Sequence, residues 1–280
     1  MVLFPNCKIN LGLRVAGKRP DGYHDLETIL YPVPLSDAAE LTVYPQKKDH
    51  PEFELTITGM DIPGEPSTNL CTKAWKLVKK DFPEIPAVRM HLHKAIPIGG
   101  GLGGGSSDGA CTLVLLNEVL KLNLTTEKLL DYALRLGSDC PFFILNKPCY
   151  ATGRGEIMEE INIGLNEYHF VIINPGIHVG TGEAFGELKI SGKKMPSLKK
   201  IIEQPVSKWK ENLVNEFEEI VFRKHPVLKE IKQKLYDSGA AFASMTGTGS
   251  SVYGIFHNSK KTANLLVGEK FMVYILNQSH

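Results

Sequence analysis

Lys8 and Asn10 stand two residues apart in an alternating segment, Cys7 to Val15, whose apolar positions are Ile9, Leu11, Leu13 and Val15. An ammonium and a carboxamide at that spacing can reach one ligand, and Gly12 leaves room beside them. A surface strand with solvated polar residues would carry the same pattern. Asp139 stands alone in a turn of small residues, Gly137-Ser138-Asp139-Cys140-Pro141, between apolar stretches. A carboxylate there is either a turn former or a base that takes a proton from a substrate. The largest concentration of chemistry is a glycine run, Pro97-Ile98-Gly99-Gly100-Gly101-Leu102-Gly103-Gly104-Gly105-Ser106-Ser107-Asp108-Gly109-Ala110.

The flanks of that run say what it is for. Val88 to His93 alternates and reads as a strand, whereas Ala110, Leu113, Leu116 and Leu120 recur at helical spacing. Strand, glycine loop, helix is the order that aims unpaired N–H groups and the positive end of a helix dipole at an anion. Phosphate is the expected anion. Ser106 or Ser107 suits the N-cap and Asp108 the first turn. Gly99, Gly101 and Gly104 match a dinucleotide fingerprint by spacing, but the acidic residue some 20 positions on, Glu118, falls inside the helix. No lysine precedes Ser106, which excludes a Walker A loop. The apolar flanks exclude a flexible linker. A second glycine turn, Thr246-Gly247-Thr248-Gly249-Ser250-Ser251, lies between apolar segments Ala240–Met245 and Val252–Phe256. It reads either as a plain hairpin or as a second wall of the same site.

These residues need elements to hold them. Strands are expected at Leu26–Tyr31, Ala39–Tyr44, Phe53–Thr58, Phe142–Leu145, His169–Ile173 and Phe271–Leu276. Helices are expected over Asn69–Lys80, from the glycine loop to near Lys121, and over Thr125–Leu136, Leu198–Glu203, Val206–Glu219, Val227–Ser238 and Ser259–Leu266. Gly180 to Phe185 is a loop or a helix start. Strands and helices mix without strict alternation, so the class is α+β. The character changes after Gly153-Arg154-Gly155, which divides the chain into 1–155 and 156–280. After the turn at Pro20-Asp21-Gly22, Tyr23 and His24 either stack on and hydrogen-bond a nucleobase or begin a strand. His91 and His93 share a strand face, but no third metal ligand is visible.

Composition narrows the class. The chain has 280 residues, 42% hydrophobic and 22% charged, with 32 basic against 31 acidic side chains and a net charge of +1. That length supports two cored domains, and the balance argues against a nucleic-acid surface. No apolar run reaches membrane-spanning length, and the first residues lack a signal-peptide pattern. The five cysteines are scattered without a C-x-x-C pair, which points to reduced thiols in a cytoplasm.

Taken together, Lys8–Leu13, Pro97–Ala110 and Met245–Ser251 resemble the three motifs of the galactose, homoserine, mevalonate and phosphomevalonate kinase superfamily. Lys8-Ile9-Asn10-Leu11, the run Asp21-Gly22-Tyr23-His24-Asp25-Leu26-Glu27-Thr28, the triple-glycine loop and Gly137–Phe143 are most similar to one branch of it. That branch serves non-mevalonate isoprenoid synthesis, and its substrate is a methylerythritol carrying a cytidine diphosphate group.

The resemblance implies a two-domain fold. Residues 1–155 would form a ribosomal-protein-S5-like, ATP-binding domain and 156–280 a ferredoxin-like, substrate-side domain, with the site in the cleft between. It implies ATP-dependent phosphorylation of the 2-hydroxyl of the methylerythritol part. Asp139 would be the general base, and Lys8 would orient the hydroxyl. Asn69, Leu70, Lys94, Pro97, Gly99, Gly100, Gly101, Leu102, Gly103, Gly104, Gly105, Ser106 and Ser107 would hold ATP. Asn10, Tyr23, His24, Phe185, Thr248 and Gly249 would hold the substrate. Mg²⁺ is expected with ATP but without a dedicated protein site. No nucleic acid or membrane partner is implied, and the chain is expected as a monomer or weak homodimer. The stretch from Ile177 to Phe185 departs from the branch's pattern, and Gly109 replaces a commoner alanine at a helix cost of roughly 1 kcal/mol. A sister kinase for homoserine or a mevalonate, and a silent ATP-binding member of the fold, are the competing readings.

Overall fold

The computed structural model describes residues 1–45, 51–188, 196–257 and 271–277. In chain order the strands are β1 (Val2–Leu3), β2 (Asn6–Lys18), β3 (His24–Ser36), β4 (Ala38–Val43), β5 (Phe53–Gly59) and β6 (Val88–Lys94). They continue as β7 (Cys149–Gly153), β8 (Ile157–Glu160), β9 (His169–Asn174), β10 (Phe242–Met245), β11 (Val252–Phe256) and β12 (Met272–Asn277). The helices are α1 (Leu70–Asp81), α2 (Gly104–Leu120), α3 (Thr126–Leu136), α4 (Cys140–Leu145) and α5 (Thr181–Glu187). After them come α6 (Leu198–Ile202), α7 (Val206–Asn212), α8 (Glu218–Lys224) and α9 (Pro226–Asp237).

The chain divides into two compact units that interleave along the sequence: residues 1–7, 35–98 and 103–146 form one, and 8–34, 99–102 and 147–280 the other. The first has a sheet in the order β1-β4-β6-β5, with β5 parallel to β6 through the α1 crossover. β6 buries every second residue, Val88, Met90, Leu92 and Lys94, as its period-two pattern requires. Those apolar residues join Ala74 and Val78 of α1, Leu113 and Leu116 of α2, and Tyr132 of α3 in one core. Asn69 caps α1 by accepting the Cys71 N–H at 2.8 Å, and Thr125 caps α3. The second unit has two sheets, β2-β3-β7-β8 and β10-β11-β9-β12. β9, β10 and β11 are buried almost throughout, and Val171, Ile173, Ala243 and Val252 join Leu228, Ile231 and Leu235 of α9 in a core.

The α+β class is observed, and three local expectations are not. Phe142–Leu145 is helical within α4, because Pro141 at its first turn leaves no amide to miss and a short apolar run carries no period of its own. Val206–Glu219 is not continuous. α7 stops at Asn212, and Val214 and Glu216 bond to Leu13 on β2 before α8 begins. The polar side of β2 is not solvated either, with Lys8 and Asn10 each 4% exposed. Ser259–Leu266 lies outside the described residues.

Gly109 has a packing reason that outweighs helix propensity. A Cβ there would lie 2.9 Å from Leu70 Cβ, so the glycine lets α1 and α2 approach. Gly109→Ala should therefore destabilise the protein by about 1–3 kcal/mol rather than add the roughly 1 kcal/mol of helix propensity. Urea unfolding of the two proteins decides the sign.

Candidate active site

β6 delivers the chain to the glycine loop, and α2 takes it away. The N-cap is not Ser106 or Ser107. It is Gly103, held at φ 72°, and both serines lie within the first turn of α2. Glycine takes that left-handed conformation without the strain a side chain would add, so the helix starts three residues early. Its first rung is Ser107 N–H to the Gly103 carbonyl at 2.9 Å. The amides of Gly104, Gly105 and Ser106 precede the ladder and point out of the helix end. They are donors of the kind that the sequence suggested for an anion.

The tip of the loop lies against the second glycine turn. Gly100 accepts the Ser251 N–H at 3.1 Å, and Gly101 accepts the Thr246 hydroxyl at 3.1 Å. A Cβ on Gly101 would stand 2.1 Å from the Thr246 carbonyl oxygen, so no other residue fits there. The second turn is thus both a hairpin, joining antiparallel β10 and β11, and a wall against the first loop. Asn174, 3% exposed, donates to Ser251 Oγ at 2.9 Å, and Asn215 donates to the Met245 and Gly247 carbonyls at 2.8 Å each. Asn215 was invisible in the sequence because it fell inside an expected helix. Within the hairpin, the Thr248 and Thr181 hydroxyls are 3.4 Å apart, and Gly249 is packed beside Met245, Val179 and Val221.

Lys8 and Asn10 enter this arrangement from β2. Lys8 Nζ donates to Asn10 Oδ1 at 2.6 Å, and the same oxygen accepts the Gly247 N–H at 3.0 Å. Asn10 Nδ2 donates to Thr28 Oγ1 at 2.9 Å. Leu102 of the loop accepts the Lys8 N–H at 2.9 Å. Gly12 does not leave room for a ligand: a Cβ there would meet Leu213 and Leu198 at 2.9 and 3.0 Å, so its space is filled by core.

Tyr23 and His24 stand at the start of β3. Asp21 Oδ1 accepts the Tyr23 N–H at 3.1 Å and fixes the turn. Tyr23 is 54% exposed, with the Arg154 guanidinium 4.7 Å from its ring centroid. His24 stacks on Phe185 at 5.0 Å and 27°, and Phe185 meets Phe217 edge-on. His24 and Phe185, far apart in sequence, are thereby brought into one stack.

Asp139 is half-buried at the N-cap of α4 and offers that helix no side-chain cap. The next residue, Cys140, lies within reach of the Ser106 side chain, so the Asp139 turn adjoins the first turn of α2. No disulfide joins any of the five cysteines, and burial raises the Cys111 and Cys140 thiols to about 12. His91 and His93 both contact the Thr58 hydroxyl, and among the described residues no group of three His, Cys, Asp or Glu could hold a metal ion.

Lys94 is not presented to solvent: it is 3% exposed and pairs with Asp37 and with Asp108 Oδ2, the latter at 2.7 Å. Asp37, a lone acidic residue between β3 and β4, also accepts the Ala95 and Ile96 amides at 2.6 and 2.9 Å. Nothing local in the sequence marked Asp37, whose partners lie some 57 residues away. Burial works against the charge on Lys94, but the two carboxylates outweigh it and raise its pKa. Two buried carboxylates share one ammonium, so one of them carries the excess. Asp37 has three donors, whereas Asp108 Oδ1 has no partner. Burial accordingly pushes the Asp108 carboxyl up to about 7.

The fold and the loops define a small-molecule kinase. Residues 69–147 match the GHMP kinases N terminal domain, and residues 183–267 match the GHMP kinases C terminal. A 4-diphosphocytidyl-2-C-methyl-D-erythritol kinase from Bacteroides fragilis is 48% identical over 265 residues, 95% of each chain. One from Bacteroides thetaiotaomicron is 50% identical over 256 residues, 91% of this chain and 92% of its own. The crystal structure of a 4-(cytidine 5'-diphospho)-2C-methyl-D-erythritol kinase superposes with a TM-score of 0.83 at 27% identity, covering 100% of both chains. The chain belongs to the GHMP kinases and, within them, to the family of 4-diphosphocytidyl-2-C-methyl-D-erythritol kinases.

The buried carboxylate gives a signed pH dependence. The folded protein holds the Asp108 proton up to about 7, whereas the unfolded chain releases it near the ordinary aspartate value of 3.8. Folding therefore binds a proton between those values, and this group's contribution to stability is lost as pH rises through that window, with a slope approaching 1.4 kcal/mol per pH unit, roughly. Asp108→Asn should remove that part of the slope, as read from urea unfolding at pH values spanning the window.

Proposed function

We propose that this protein transfers the γ-phosphoryl group of ATP to the 2-hydroxyl of 4-diphosphocytidyl-2-C-methyl-D-erythritol. The observation that carries this reading over the sister kinases is the stack of His24 on Phe185, with the exposed Tyr23 next to His24 in the chain. An aromatic wall of that kind suits a nucleobase, and homoserine or a mevalonate has none to lay on it. The identity with the Bacteroides enzymes along nearly the whole chain supports the same substrate.

The roles follow from the chemistry. The amides of Gly104, Gly105 and Ser106 and the α2 dipole hold the ATP phosphates, with Pro97 to Leu102 shaping the approach. Asn69 and Leu70 lie on the adenine side. Asp139 takes the proton of the acceptor hydroxyl as its oxygen bonds to the γ-phosphorus. The bond from that phosphorus to the β–γ bridging oxygen breaks, and ADP leaves. Lys8, held by Asn10, orients the hydroxyl and opposes the charge that develops on it. Thr248 and Gly249 bound the substrate on the hairpin side. The glycine cradle and helix end fit a triphosphate, whereas no carboxylate cage for Mg²⁺ stands among the described residues. Mg²⁺ bound with ATP would neutralise phosphate charge.

Residues 1–155 would bring the nucleotide loop together with Asn10, Tyr23 and His24, and 156–280 would add Phe185, Thr248 and Gly249 on the substrate side. Among the described residues no helix is long and apolar enough to cross a membrane. Buried, unoxidised thiols fit a cytoplasmic enzyme, acting as a monomer or weak homodimer.

An ATP-consumption assay with Mg²⁺ against 4-diphosphocytidyl-2-C-methyl-D-erythritol, homoserine, mevalonate and phosphomevalonate tests the reading. Turnover on the cytidyl compound alone is expected, and turnover on another acceptor in its place removes the base clamp. Asp139→Asn should keep ATP binding and lower kcat about 100-fold or more, and near-normal turnover would dismiss the general base. Tyr23→Ala should raise the KM of the cytidyl substrate at least about tenfold while leaving that of ATP nearly unchanged, and equal effects on both would argue against stacking.

A further inference from the structure

We propose that Asp37, Lys94 and Asp108 form a buried charged triad that positions the phosphate-binding glycine loop from its two stems, with Asp37 and Lys94 acting as positioning residues for nucleotide binding. The inference rests on the reading of that loop as the ATP cradle. It replaces the expectation that Lys94 itself holds the nucleotide.

The geometry assigns the triad its task. Asp37 divides its carboxylate: Oδ1 accepts the Ala95 and Ile96 amides at 2.6 and 2.9 Å, and Oδ2 accepts Lys94 Nζ. Ala95 and Ile96 are the last residues before Pro97 and the glycines. Lys94 Nζ then donates to Asp108 Oδ2 at 2.7 Å, inside α2, the helix that follows the loop. One chain of charge-assisted bonds therefore runs from the stem that enters the loop to the stem that leaves it. The stems also touch. A Cβ on Gly104 would lie 2.9 Å from Ile96 Cγ2 and 3.4 Å from Lys94 Nζ, so the first residue of the helix rests on the entering stem and over the ammonium.

Stability alone does not account for such a group. Lys94 is 3% exposed, Asp108 2% and Asp37 1%, and the desolvation of buried ions commonly cancels their attraction. Apolar side chains would fill the same volume. They would not hold two consecutive amides in a set direction, nor tie them to a helix one turn from its N-terminus. Direction is what a phosphate cradle needs, because its donors act only when aimed at the anion before it arrives. Nor does the Lys94 ammonium replace the cradle, since it is held below the first turn of α2 between two carboxylates.

The test compares wild type, Lys94→Met, Asp37→Ala and Asp37→Asn by steady-state kinetics, by calorimetric binding of a non-hydrolysable ATP analogue, and by amide hydrogen exchange. Lys94→Met and Asp37→Ala are expected to raise the KM of ATP about tenfold or more, with the KM of the cytidyl substrate within about twofold of wild type. Exchange should quicken in residues 95–107 before any other stretch between 35 and 146. Asp37→Asn keeps the volume and one acceptor oxygen, so a smaller rise of about threefold is expected, and it decides the question should the other two fail to fold. Unchanged ATP KM in the folded variants overturns the proposal. So does a rise in Lys94→Met without one in Asp37→Ala, which would make Lys94 a direct phosphate ligand. Failure of wild type to bind the analogue removes the cradle reading itself, and the positioning role with it.

Discussion

A single carboxamide organises the second unit around its chemistry. β2 runs through the interior with both faces covered, so every polar group it carries needs a partner within the protein. Asn10 supplies most of them. Its oxygen receives Lys8 and the Gly247 amide, its nitrogen reaches Thr28 on β3, and its backbone carbonyl accepts the Tyr253 hydroxyl at 2.8 Å. The Thr246 hydroxyl sits between Asn10 and the Gly101 carbonyl. Moving any one of these would leave a polar atom stranded in a low dielectric, where the penalty is largest. The position of the hairpin, the tip of the glycine loop and the direction of the Lys8 ammonium are therefore set together.

The glycine loop is held by different physics at its tip and at its stems. The tip is fixed by neutral contacts at glycine positions where a Cβ has no space, which brings two backbones to a distance that no other residue permits. The stems are fixed by ions out of reach of water. That division leaves the amides at the start of α2 uncommitted to the protein while everything around them is committed. A site for a multiply charged ligand requires rigid walls with unspent donors, and the loop provides both.

Much of this was readable from the chain. The strand, glycine run and helix around residue 100 were legible because period two, a change of composition and helical spacing follow one another without ambiguity. The hairpin near residue 248 was legible for the same reason. The errors share a cause, in that local pattern was overruled by a distant partner. Asn215 breaks a helix that its neighbours favour because two hairpin carbonyls require its amide. Gly109 reads as a weak point until Leu70 is seen against it. Asp37 carries no local signal because its meaning lies entirely in Lys94 and the amides after it. Phe142–Leu145 was too short to show a period, and only Pro141 hinted at a helix. The residues that resemblance gathered, such as His24 and Phe185, are separated by 161 positions in sequence yet stack at 5.0 Å, a relation no local pattern encodes.

The interleaving of the two units has a consequence for how the protein is made. The first unit is fully specified once residue 146 has been synthesised, and its sheet and helices can then close. The second unit begins with residues 8–34, which include most of β2 and β3, but its remaining strands and helices lie beyond residue 147. A nascent chain thus carries two long strands that can pair with each other, while the edge of β3 that β7 will take stays open as the ribosome finishes half the protein. An open edge of that kind invites pairing with other chains. The period of greatest exposure to aggregation ends only with the arrival of β7, β9 and the hairpin, so slowing translation in the second half of the message should cost yield more than slowing it in the first.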